Sequence, residues 1–151
     1  MALNTFQGLM RSSGGAAKES GVTPAPLTMA VVVSFVASGT AAVVRVGTSG
    51  TTGTPFVLPV GAVPLYMLTI GGATGTNPTI DIGSAATTDG FFNEVDADTK
   101  GTLIGANGSL VVGTGLTAQT PVYGISGASA AAGTFTGVFV FTIYNNGVWD
   151  V

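Results

Sequence analysis

Asp81, Asp89, Glu94, Asp96 and Asp98 place five of the chain's seven carboxylates within 18 residues. Acidic side chains at that density suit three kinds of chemistry. Hard cations take oxygen ligands, so Asp89, Asp96 and Asp98 are candidate Ca²⁺ ligands. A pair of carboxylates could cleave a glycosidic bond, one protonating the leaving group while the other attacks or activates water. The third role is turn chemistry, in which Asp and Asn accept hydrogen bonds from nearby backbone N–H groups and no metal is needed. The spacing lacks the D-x-[DN]-x-[DN]-G run of a calcium loop. The single tryptophan, Trp149, stands in the C-terminal tail, so a sugar would find no aromatic platform. Turn chemistry is therefore the expected role, and we expect no cofactor.

Other reactive constellations are missing. The chain has no histidine and no cysteine, which removes the commonest general base, the commonest zinc ligand and every thiol nucleophile. A serine nucleophile would need a lysine base, yet Lys18 lies near the N-terminus and Lys100 beside the acidic run. Gly124-Ile125-Ser126-Gly127 is not a G-x-S-x-G elbow, because its second glycine comes one residue early. Gly71-Gly72-Ala73-Thr74-Gly75 lacks both the G-x-G-x-x-G spacing and a Walker lysine. Both read as turns, and no enzymatic activity is expected.

What remains is surface. Charged residues make up 7% of the chain, against about 25% in an average soluble domain, so much of the exterior is expected to face protein. The four cations, Arg11, Lys18, Arg45 and Lys100, are scattered along a chain of net charge −3. They form no basic stripe for phosphates, and nucleic acid is not an expected partner. With 46% hydrophobic residues the chain can offset the entropy of ordering. Thr28 to Val46 is nearly uncharged, but its Val/Thr/Ser content and the break at Ser38-Gly39-Thr40 suit two buried strands better than a membrane helix. A cleaved secretory signal is not expected, since this apolar run begins some 28 residues in.

The elements that must carry these residues read as strands and turns. The expected strands are Met29–Ala37, Ala41–Val46, Thr54–Val60, Ala62–Ile70, Pro78–Gly83, Ser109–Val112, Thr120–Ser126 and Phe135–Tyr144, separated by Gly-, Asn- and Thr-rich stretches. In the last, Phe135, Gly137, Phe139, Phe141 and Ile143 alternate with Thr136, Val138, Val140, Thr142 and Tyr144, which puts an aromatic row on one face. The other face is apolar enough to be covered as well. Thr87–Gly101 is expected as an ordered loop with one helical turn near Phe91-Phe92-Asn93, its two phenylalanines plugging the open end of the sandwich. The expected fold is all-β, an antiparallel jelly-roll-like sandwich over residues 29–151, with an extended N-terminal arm over residues 1–28.

The arm holds a low-complexity run, Ser12 to Ala17, and a Pro24-Ala25-Pro26 stretch that favours an extended course. Leu3, Phe6, Leu9 and Met10 fall at a spacing that could form one or two helical turns capped by Asn4. A Gly/Ser-rich arm gains order against a surface. That surface is expected to be a partner or a neighbouring subunit, the alternative being the arm's own domain. Leu3, Phe6, Leu9, Met10, Pro24 and Pro26 are thus candidate interface residues. Trp149 is another, as an intersubunit anchor or as a cover for its own core's edge.

From Phe56 to Tyr144, about 90 residues, the chain resembles small structural proteins of tailed-phage virions, of the head decoration or cement type. The resembling groups are Val57-Leu58-Pro59-Val60-Gly61-Ala62-Val63, Thr79-Ile80-Asp81-Ile82-Gly83, Asp89-Gly90-Phe91-Phe92 with Val95-Asp96-Ala97, Leu116 to Tyr123, and Ala132-Gly133-Thr134. The resemblance implies a homo-oligomer, often a trimer, that sits on the capsid exterior at capsomer junctions with the major capsid protein as its partner. It carries over no catalytic residue. The alternative expectation is a phage tail, fibre or adhesin-type module that binds a receptor or glycan through its loops.

Overall fold

The computed structural model describes residues 27–39, 42–48, 54–72, 74–110, 115–126 and 131–143. Among them eleven strands form in chain order: β1 (Leu27–Ser38), β2 (Val44–Arg45), β3 (Gly47–Thr48), β4 (Val57–Leu58), β5 (Ala62–Gly71), β6 (Thr79–Gly83), β7 (Phe92–Asp96), β8 (Leu103–Gly105), β9 (Thr120–Pro121), β10 (Tyr123–Ser126) and β11 (Ala132–Ile143). One sheet runs β3-β1-β11-β5-β8, a second β2-β10-β6-β7, and β4-β9 is a short two-stranded sheet. Every pairing is antiparallel.

The pairing pattern defines the fold. Fold a long hairpin at its middle and roll it up, and the first strand pairs the last, the second the next to last, and so inward. The pairs β1·β11, β2·β10, β5·β8 and β6·β7 follow that rule, and β11·β5 and β10·β6 close the two sheets. This is a jelly roll. Of the described part of the expected strand Ala41–Val46, Val44–Arg45 forms β2, and β3 follows at Gly47–Thr48. β2 pairs β10 in one sheet, then the chain bends so that β3 pairs β1 in the other, which makes a corner of the sandwich.

Alternation along β1 and β11 assigns the two faces. Val31, Val33, Phe35 and Ala37 point inward with Phe135, Gly137, Phe139 and Phe141, as the aromatic row predicts. Phe139 is the centre of the core. Its ring lies 5.2 Å from Phe56, 5.1 Å from Phe92, 6.3 Å from Phe91 and 6.2 Å from Phe141, all near edge-to-face, the arrangement that ring quadrupoles favour. The Phe35 ring of one sheet packs directly on Gly124 of the other. A Cβ at position 124 would stand 2.4 Å from that ring.

Three expectations need correction. Phe92–Asp96 is strand β7, not a helical turn, and the fully buried Phe91 and Phe92 rings meet Phe139 edge-to-face. A bulge between Ile80 and Ile82, with Glu94 at φ 55°, breaks the two-residue alternation that would have revealed the strand. β8 was not expected, because three residues ending in Gly105 carry too short a pattern. Of the expected strand Ser109–Val112, Ser109 and Leu110 form a turn, with Leu110 packed on the core, and Val111 and Val112 lie outside the described residues. No helix among the described residues is long and apolar enough to cross a membrane.

Truncating the central ring leaves a cavity its neighbours cannot fill, so Phe139→Ala is expected to cost about 3–5 kcal/mol in urea unfolding. Gly124→Ala pushes the sheets apart at Phe35 and is expected to cost about 1–3 kcal/mol. An unchanged midpoint for Gly124→Ala would show that the Phe35 ring moves aside freely.

Candidate functional site

The five-stranded sheet has an inner face in the core and an outer face without charge. Two rows cross it by register. Val32, Val138, Leu68 and Leu103 stand side by side on β1, β11, β5 and β8. In the next outward row stand Ala30, Val140, Tyr66 and Gly105. Between them, the inward row Val31, Phe139, Met67 and Ile104 belongs to the core. Leu103 is 60% exposed, Val32 50%, Val36 44%, Ile70 42% and Tyr66 39%. Scattered exposed valines are ordinary, but contiguous rows of them mark interaction sites. Val140 is buried yet stands apart from the core cluster. Ser34, also outward and buried, has an Oγ without a hydrogen-bond partner.

The sheet edges, by contrast, are closed to an added strand. On β7 the Asn107 side chain takes a strand's place: its Oδ1 accepts from Asn93 N at 2.8 Å and its Nδ2 donates to Asn93 O at 3.3 Å. Further along, Thr69 Oγ1 donates to Asp96 O at 2.6 Å. β3 is covered by the segment at Thr54–Pro55, with Thr48 N donating to Thr54 O at 2.9 Å and a bridge from Gly47 to Pro55. β8 is three residues long, and β2 is two, carrying Arg45 over the Tyr123 ring at 5.9 Å. Short or plugged edges of this kind prevent strand addition.

The acidic residues take up turn geometry. Asp96 Oδ1 accepts from Asp98 N at 3.2 Å and Thr99 N at 3.0 Å, and Asp98 Oδ1 accepts from Thr99 Oγ1 at 3.2 Å. The backbone bond from Thr99 is the main reason the Asp96 carboxyl sits below its ordinary range. Asp81 Oδ1 accepts from Glu94 N at 2.7 Å and so braces the β7 bulge. Burial is the main force pushing the Asp81 carboxyl upward, with the charges of Asp89 and Glu94 adding to it against the Glu94 hydrogen bond. Asp89 is exposed in the β6–β7 turn. Among the described residues no group of three or more acidic side chains lies close enough to share a metal ion.

The candidate interface residues Leu3, Phe6, Leu9, Met10, Pro24, Pro26 and Trp149 lie outside the described residues, as do the cations Arg11 and Lys18. The exposed outer face is what sequence reading did not single out. Its signal was the apolar second face of the last strand. The resembling groups prove to be framework: Thr79–Gly83 is β6, Val95-Asp96 closes β7, and Ala132-Gly133-Thr134 opens β11.

No protein-family model matches the sequence, and no curated protein does. Among solved structures, the chain is similar to a chain of the cyanophage Pam1 capsid asymmetric unit, with a TM-score of 0.48 and 17% identity over 79% of this chain and 86% of that one. It is also similar to a chain in the capsid of Ralstonia phage GP4, with a TM-score of 0.47 and 15% identity over 81% of this chain and 86% of that one. The class that the strand pairing defines is the all-β antiparallel jelly roll.

The two shifted carboxyls act oppositely on stability. Asp96 binds its proton less readily folded than unfolded, so its contribution is present above the ordinary value of 3.8 and is lost as pH falls through the folded one. Asp81 binds its proton more readily folded, so its ionisation costs stability as pH rises through 3.8 and beyond. In thermal melts from pH 2.5 to 7, Asp96→Asn should lower Tm at neutral pH, with the deficit closing in acid. Asp81→Asn, which keeps an acceptor for Glu94 N, should match or exceed the parent at neutral pH and converge with it in acid. The reverse order would refute both assignments.

Proposed function

We propose that this chain is a structural protein of a tailed-phage virion, a decoration or cement subunit. It binds the outer capsid surface at capsomer junctions, with the major capsid protein as its partner, and works as a homo-oligomer, in the simplest case a trimer. The observation that carries the reading is the uncharged apolar outer face of the five-stranded sheet, set on a jelly roll whose edges refuse added strands. Such a surface is built to be covered. The sequence resemblance over Phe56 to Tyr144 and the scarcity of charge support the same reading. It coincides with the setting of the two similar solved chains but does not depend on them.

The mechanism is mechanical rather than catalytic. Each subunit offers its N-terminal arm, the 26 residues before β1, and a sandwich face to its neighbours, and the buried area resists the outward pressure of packaged genome. Symmetry multiplies weak contacts, because several linked sites hold far more tightly than one.

Occupancy on purified phage heads tests this. The full chain should bind heads saturably and raise the temperature at which they release DNA. Deleting residues 1–26 should leave the far-UV circular dichroism of the sandwich unchanged and abolish attachment. Undiminished occupancy of the truncated protein would remove the arm from the mechanism. Failure of the full chain to bind, together with specific glycan binding lost on chelation, would replace the reading with that of a receptor-binding module.

A further inference from the structure

We infer that the outer face of the five-stranded sheet is the seat for the N-terminal arm of a second copy of this chain, so that copies join by passing arms around a closed ring. This rests on the reading of the chain as an assembling protein and specifies which two of its surfaces meet.

The first argument is geometric. With β7 plugged by Asn107, β3 covered at Thr54–Pro55, and β8 and β2 only three and two residues long, an incoming segment has no edge to extend. Among the described residues main-chain addition is closed, while Val32, Tyr66 and Leu103 stay exposed on the face. The Val32-Val138-Leu68-Leu103 row offers side chains and no backbone groups, so what lies there must be recognised by apolar side chains. An amphipathic segment meets that need.

The second argument is area. Four strands about 4.8 Å apart, over seven residues at about 3.3 Å each, give a face of about 400 Å². A stable interface needs about 800 Å² per partner. Two such faces stacked on each other would supply half of that and would resemble a crystal contact. If each copy instead donates an arm to one neighbour and receives an arm from another, each contact is still about 400 Å² per partner, but every copy takes part in two of them, about 800 Å² in all, and ring closure makes the contacts act together. That contact is head-to-tail, and a head-to-tail contact closes into a ring when its rotation allows.

The third argument is the chain before β1. Leu3, Phe6, Leu9 and Met10 repeat at helical spacing with no charge among them, which suits an uncharged face. Between Met10 and the start of β1 at Leu27 lie 16 residues, enough to span up to about 50 Å when extended. The face is about 20 Å across by the same strand spacings, so a neighbour's face is within reach. Pro24 and Pro26 favour an extended path into Leu27, at the end of the sheet where it pairs with Ile143.

The parent chain contains no cysteine, so engineered pairs report without background. Full-length Phe6→Cys carrying one tag is mixed with full-length Val32→Cys carrying another and oxidised gently. The expected product is a disulfide-linked species bearing both tags, at least tenfold above that from Phe6→Cys with Asn93→Cys, a control on the exposed edge of the opposite sheet. Native mass spectrometry should show a ring of the parent chain. V32K/L103K should be monomeric with the parent's far-UV circular dichroism, since both residues are exposed within the single subunit. A monomeric parent chain, or mixed product no greater than the control's, would overturn the inference. So would the Phe6→Cys/Val32→Cys double variant closing its bond within one chain, since the arm would then cover its own face. Head occupancy is read separately. Binding to heads without arm exchange sinks this inference alone, and arm exchange without binding to heads sinks the proposed function alone.

Discussion

Pairing of β1 with β11, in register over twelve residues from Leu27↔Ile143 to Ser38↔Ala132, is the constraint on which the rest of the architecture depends. It joins the two ends of the described sandwich. Even its nearest partners, Ser38 and Ala132, are 94 positions apart in sequence. Closing so long a loop costs entropy before any contact repays it, so this ladder must be long and its side chains well packed. Everything between is wound inside it. β5 can join only on the free side of β11, and β6, β7 and β10 pack across from β1 through Phe35, Phe139 and their neighbours. Small changes along the ladder therefore act on both sheets at once.

Glycine makes that packing possible. The Phe35 ring fits because position 124 has no Cβ, and Gly137 leaves room beside Phe135 and Met67. The aromatic cluster around Phe139 then fastens a chain that has no cysteine for disulfides. Its rings come from β7, β11 and the stretches before β4 and β7, so one cluster ties together segments far apart in the chain. A sandwich so fastened can leave its outer surfaces to other tasks.

Those surfaces are divided. Polar side chains close the edges: Asn107 stands in for a strand, and Thr69 and Thr48 take up backbone acceptors. The acidic residues brace the β6–β7 bulge and the turn after β7. Apolar residues gather instead on the outer face of the five-stranded sheet, where nothing polar interrupts the Val32-Val138-Leu68-Leu103 row. Guarded edges beside an exposed apolar face favour association through side chains over uncontrolled strand addition.

From residues alone it was possible to read an all-β antiparallel fold, the inward row of Phe135, Phe139 and Phe141, the long strands β1, β5 and β11, and the turn role of Asp96. Each of these rests on local periodicity or on hydrogen bonds between near neighbours. What only the folded chain decided is long-range. β7 hid behind its bulge because Glu94 breaks the alternation, and β8 was too short to show a period. The split of β2 from β3 depends on which partner each finds across the sandwich. The outer face showed only in part, as the apolar second face of the last strand: Val32, Val138, Leu68 and Leu103 are unremarkable singly, and become a surface only when the register of three strand pairs sets them side by side.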